Sequence, residues 1–254
     1  MAARTPAPSL SRFPIFRLLL GTQVTRARVL SLLGLGLVGV IVAIAIGMAG
    51  DEGRPLVEDP VDLTTRGARF VSTFGLSLLV PVSALVFSAA SLGDPSEDGT
   101  LVYLWLRPVR RARIVLAAAA SSFAVAWPIV VVPLGIAAWA TQGGTGLVVG
   151  TVASATLALV AYTGLFCTLG LRVKRSLVWG LLYIFIWEGF IATANETAAR
   201  LAVRTYARSV LAAVADVELR FSSIASPWRW LVPVAVAVIA LGYATHRLAD
   251  QDVA

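Results

Sequence analysis

The sequence is short of charge. Only 14% of its 254 residues are Asp, Glu, Lys or Arg, while 58% are hydrophobic and the mean hydropathy is +0.83. A soluble domain carries about a quarter charged residues and is about half apolar, so an ordinary soluble globule is excluded. Cysteine occurs once, at Cys167, which rules out an intrachain disulfide and a cysteine-based metal cluster; its place inside an apolar run assigns it to packing. Histidine also occurs once, at His246. One imidazole without a G-x-S-x-G serine offers no nucleophile–base pair for a membrane protease and too few ligands for a zinc site. No G-x-x-x-x-G-K-[ST] phosphate loop is present, so ATP hydrolysis by this chain alone is not expected. Lysine is limited to Lys174 among 21 basic residues, an arginine bias that points to a GC-rich bacterial genome. Internal repeats and low-complexity tracts are lacking as well.

What the chain does have is apolar runs long enough to cross a bilayer, for which a helix needs roughly 20 residues. Six are expected, over residues 29–49, 67–91, 114–140, 147–171, 177–193 and 230–246. The stretch Ser11–Arg28 mixes Arg12, Arg17, Arg26 and Arg28 with Phe13, Ile15, Phe16 and Leu18–Leu20. It has no small-residue cleavage site close behind its apolar core and reads as a basic amphipathic helix on the membrane surface. Residues 194–228 are mixed in character and expected to be helical. The expected fold class is therefore an all-α membrane protein, one transmembrane domain over 1–254, with an amphipathic helix within 1–28 and a helical segment between spans 5 and 6.

The net charge of +7 suggests nucleic acid less than membrane lipid, because the basic residues flank apolar runs. Alternate loops hold unequal shares of them: 13 on the side of both termini and residues 93–113 and 172–176, and 8 on the other. By the positive-inside rule the first side is cytoplasmic.

One cytoplasmic segment has a pattern of its own. Between spans 2 and 3 the chain runs through an acidic turn with Glu97 and Asp98, then Gly99-Thr100-Leu101, the apolar Leu104, Trp105 and Leu106, a break at Arg107-Pro108-Val109, and Arg110, Arg111 and Arg113 before span 3. Acids near the start of a short helix and bases near its end suit the helix dipole, and exposed Leu101, Leu104 and Trp105 need a partner surface. On composition alone, a loop lying on lipid phosphates explains the segment equally well.

The same segment resembles the type-2 permeases of ATP-binding-cassette (ABC) transporters. Those proteins carry an acidic residue, Gly-Thr-Leu, an apolar pair and Pro-Val-x-Arg after their second span, with an amphipathic helix before span 1 and a long connection between spans 5 and 6. The resemblance covers essentially the whole chain; Asp94-Pro95-Ser96 departs from it, where relatives continue the helix with more charge. It implies a bacterial inner-membrane exporter subunit, paired with a second identical or homologous permease. It also implies cytoplasmic ATPase subunits on separate chains, which would bind the ATP and Mg. The coupling element would then comprise Glu97, Asp98, Gly99, Thr100, Leu101, Arg107, Pro108, Arg110 and Arg113. The alternative class is a membrane protein not driven by ATP, either a secondary transporter or an assembly anchor. The paired broken helices of many secondary transporters have no symmetric counterpart here, although spans 2, 3 and 6 contain proline.

Within the spans, Thr73, Ser77, Ala84, Ser88 and Ser91 fall on one face of span 2 at about 100° per residue. Trp179, Tyr183, Trp187 and Phe190 form an aromatic stripe on span 5. Small hydroxyl stripes ordinarily mark close helix packing, and aromatic stripes ordinarily meet lipid or a neighbouring helix. The resemblance implies that both line the transport pathway. Glu188 lies near the middle of span 5, opposite the stripe by α-helical counting, where a carboxylate must face protein or water. It is expected to serve the pathway or to pair with an arginine of the following segment. Arg200, Arg204 and Arg208 recur every four residues on one helical face, expected to be solvated or against lipid phosphates. Glu196 pairs with Arg200.

Overall fold

The computed structural model describes residues 14–51, 63–97, 110–220 and 224–250. Among these the chain is helical, and six helices are long and apolar enough to cross a membrane: Arg26–Met48, Leu63–Asp94, Arg111–Ala140, Gly144–Arg172, Ser176–Ala194 and Trp228–Leu248, here spans 1 to 6. The protein is thus an all-α, multi-pass membrane protein. Apolar runs wind into helices in lipid because every backbone N–H and C=O must be satisfied within the segment.

Spans 2, 3 and 4 form the centre, with 61% of their most apolar windows buried against 22% in spans 1, 5 and 6. Span 4 is the hub and packs on spans 2, 3 and 6 and on a helix in the span 5–6 connection. Apolar side chains gain little by leaving lipid for protein, so such contacts depend on close fit. Span 4 achieves it with glycine. A Cβ on Gly170 would stand 2.4 Å from the Ala89 carbonyl oxygen of span 2, and one on Gly164 would stand 2.8 Å from the Ala237 Cα of span 6. Hydroxyls add bonds between helices: Ser122 donates to the Phe87 carbonyl at 3.2 Å, and Thr168 to the Ala240 carbonyl at 2.8 Å.

The amphipathic helix α1 (Pro14–Gln23) is shorter than the expected Ser11–Arg28. Residues 11–13 lie outside the described residues. Val24 and Thr25 interrupt the helix, and the Thr25 carbonyl accepts the Val29 N–H at the start of span 1. Arg26 and Arg28 therefore belong to span 1 rather than to α1. Helix α1 packs on span 3 and the end of span 2. Its Leu19 is buried in a cluster with Leu92, Ile114, Val115, Leu171 and Leu248, which collects the ends of spans 2, 3, 4 and 6. That end of the bundle also carries Arg28, Arg110, Arg113, Arg172, Lys174 and Arg175, and is hereafter the basic end.

Two stretches depart from α-helix. Val71–Leu79 in span 2 and Tyr183–Ile191 in span 5 are π-helical, with the i→i+5 bonding that is rare and concentrated at functional sites. Span 5 ends in the short turn Ala192–Ala194, and the span 5–6 connection contains the turn Glu196–Ala199 and then the connector helix Val203–Ala215.

Candidate functional site

At the basic end, the predicted coupling residues Asp98, Gly99, Thr100, Leu101, Arg107 and Pro108 lie outside the described residues, and Glu97 ends the described helix of span 2. The flanks of the segment are well defined. Arg110 is extended, exposed and caps span 3, its carbonyl accepting the Arg113 N–H at 2.9 Å; Arg113 is exposed. Arg28 at the start of span 1 pairs with Asp94 at the end of span 2 at 3.0 Å. The buried Gln23 of α1 donates to Ser121 of span 3 at 3.0 Å. Helix α1 itself lies beside both ends of the segment through Leu19, which shares a buried cluster with Leu92 and Ile114.

The second site is built around Glu188, which is only 1% exposed. It sits twelve residues from Ser176 and six from Ala194, about 18 Å from one end of span 5 and about 9 Å from the other at 1.5 Å per residue. The Tyr162 hydroxyl of span 4 and the Tyr183 hydroxyl of span 5 both donate to its carboxylate, the latter at 3.1 Å. The Val203 N–H, in the first turn of the connector helix, reaches the same carboxylate. Such a position suits an anion, since the first N–H groups of a helix have no partner within it and carry partial positive charge.

The π turn decides this arrangement. In an α-helix, residues five apart lie about 140° apart, so Tyr183 and Glu188 would diverge. With i→i+5 winding they share a face. Counting at the α-helical period set Glu188 opposite the aromatic stripe; the structure instead joins it to a member of that stripe.

The connector helix also departs from expectation. Arg204 is buried and Arg208 half-buried, and only Arg200 is exposed, paired with Glu196 at 2.7 Å. The solvated arginine face is therefore corrected: the connector helix folds against span 4 and the π segment of span 2. Arg204 donates to the Glu188 backbone carbonyl, and Arg208 to the Ser77 hydroxyl at 3.2 Å. Burial, then the neighbouring Arg204, pushes the Arg208 guanidinium down to about 10, so it stays charged at neutral pH.

The other pathway residues divide. Thr73 is exposed, Ser77 half-buried, and Ala84, Ser88 and Ser91 are buried. The face predicted for them does not run through, because the π segment breaks the 100° count below Val80. Ser91 donates to the Ser88 carbonyl at 2.7 Å and lies 3.7 Å from Cys167, a packing role between spans 2 and 4. Trp179 and Phe190 are 55% and 76% exposed and Trp187 is half-buried. Trp179 and Tyr183 line a groove of about 400 Å³ with Leu165, Phe166 and Leu169 of span 4. Tyr162 escaped the sequence reading. A tyrosine near the middle of an apolar span needs a partner for its hydroxyl, and that signal pairs it with Glu188.

No protein-family model and no curated protein matches the chain.

Proposed function

We propose that this chain is the membrane-spanning permease subunit of an ATP-driven ABC exporter in a bacterial inner membrane. In this reading two permeases, identical or homologous, pair in the bilayer, and both termini of each lie in the cytoplasm. ATP and Mg bind to separate cytoplasmic ATPase subunits, and the permease contributes no catalytic residue. The segment Glu97–Arg113 is the element on which the ATPase acts, with α1 beside it.

The observation that carries this reading is the packing of α1 beside the ends of spans 2 and 3 that flank the segment. Leu19 of α1 shares a buried cluster with Leu92 and Ile114, near where the segment leaves span 2 and enters span 3; Arg28 of span 1 pairs with Asp94 there, and Arg110 and Arg113 stand at the start of span 3. A push there meets a braced platform joined to four spans, so it moves helices rather than a loose loop.

Tagged chain purified from its native membrane should bring an ATPase subunit with it. Glu97→Ala and Gly99→Pro should leave that complex intact while lowering transport-linked ATP hydrolysis by tenfold or more. Wild-type rates in both assembled variants would refute the coupling role.

A further inference from the structure

The two π segments share a construction. In span 2, the Ser77 hydroxyl donates to the Ser72 carbonyl five residues back, at 2.8 Å. In span 5, the Tyr183 hydroxyl donates to the Glu188 carboxylate five residues ahead, at 3.1 Å. Each π segment is thus stitched by a side chain working at the π period. One member of each stitch is then held by an arginine of the connector helix: Ser77 by Arg208, and Glu188, through its backbone carbonyl, by Arg204. The two arginines are four residues apart and lie on one helical face, so a single helix grips both segments at once.

We propose that the connector helix is a latch that sets the winding of spans 2 and 5. With Arg204 and Arg208 seated, each span holds its π turn. When the helix withdraws, both π segments relax toward the ordinary α-helical period. A one-residue change of register turns everything beyond it by about 100° and shifts it by about 1.5 Å. Both π segments lie between the connector helix and the basic end, which span 2 reaches at Asp94 and span 5 at Ser176. One movement at the connector is thereby converted into paired rotations at the opposite end of the bundle, and a force at the basic end can release the latch in the reverse sense. The device holds whether or not an ATPase drives the chain.

Hydrogen exchange of the full chain in lipid nanodiscs tests the latch segment by segment. Arg208→Gln should speed exchange in 71–79 by about tenfold or more, as expected for losing a hydrogen bond to a charged group, and change 183–191 little. Arg204→Gln should do the reverse. Span 3 should exchange as in wild type in both. Ser77→Ala and Tyr183→Phe, which leave the arginines in place, carry the same respective expectations should an arginine variant fail to fold. Uniform loosening that includes span 3, or no change in either segment, would overturn the proposal.

Discussion

Glu188 shows how a charged side chain is kept at bilayer depth. A carboxylate facing lipid near the centre of a helix costs about 2.5–3.5 kcal/mol on insertion scales. Here two tyrosine hydroxyls and one backbone N–H surround it. Replacing it with leucine removes the acceptor and strands the hydroxyl of the buried Tyr162, at about 1–3 kcal/mol for a buried group left without a partner, and that of the half-buried Tyr183 at less. Glu188→Leu is therefore expected to lower stability by about 2–5 kcal/mol, read as a lower melting temperature in detergent. Glu188→Gln, which keeps an acceptor oxygen, should lose less. Wild-type melting of Glu188→Leu would mean that the cluster contributes nothing. That Glu188 faces protein was legible in the sequence, because depth follows from counting residues along an apolar run. Its partners were not. The Glu196–Arg200 pair, expected from its four-residue spacing, is present and leaves Arg200 away from Glu188. Arg204 reaches the Glu188 backbone rather than its carboxylate, a distinction no spacing encodes.

At the scale of the element, the apolar runs located all six helices, since a run of about 20 apolar residues has one way to satisfy its backbone in lipid. The π segments lay beyond that signal. In a span that is apolar all round, one inserted residue alters no hydrophobic pattern, and the stripes counted at 100° per residue failed where the winding changed. Thr73, inside the π segment, is exposed, while Ala84, Ser88 and Ser91 in the α-helical part stay together and buried. The contacts that hold the elements together make a comparative prediction. A Cβ on Gly170 would meet the Ala89 backbone carbonyl, whereas one on Gly39 of span 1 would meet the ring edge of Phe74, also at 2.4 Å. Backbone cannot give way and a side chain can. Gly170→Ala should cost about 1–3 kcal/mol, the usual range for overpacking, and Gly39→Ala distinctly less. Thermal melting of the two variants side by side checks the order; equal melting temperatures would contradict the close packing of spans 2 and 4.

At the scale of the molecule, the bundle has two unlike ends. One carries α1, the Arg28–Asp94 pair and the arginines that open span 3; the other carries the connector helix with the buried Arg204 and half-buried Arg208. On the connector side, the helical arginine face expected to meet water or lipid phosphates instead turns Arg204 and Arg208 inward. The count still favours the basic end as cytoplasmic, because the arginines at that end flank four different spans. Orientation decides whether an ATPase can reach the segment Glu97–Arg113 at all, since ATP is found on the cytoplasmic side. The most direct measurement is labelling of intact cells with a membrane-impermeant thiol reagent, using Asp59→Cys and Ser96→Cys; the native Cys167 is fully buried and should stay silent. The permease reading predicts labelling of the cysteine at 59 and none at 96 until the membrane is opened. Labelling at 96 and not at 59 would put the proposed coupling segment outside the cell and contradict an ATP-driven role for it.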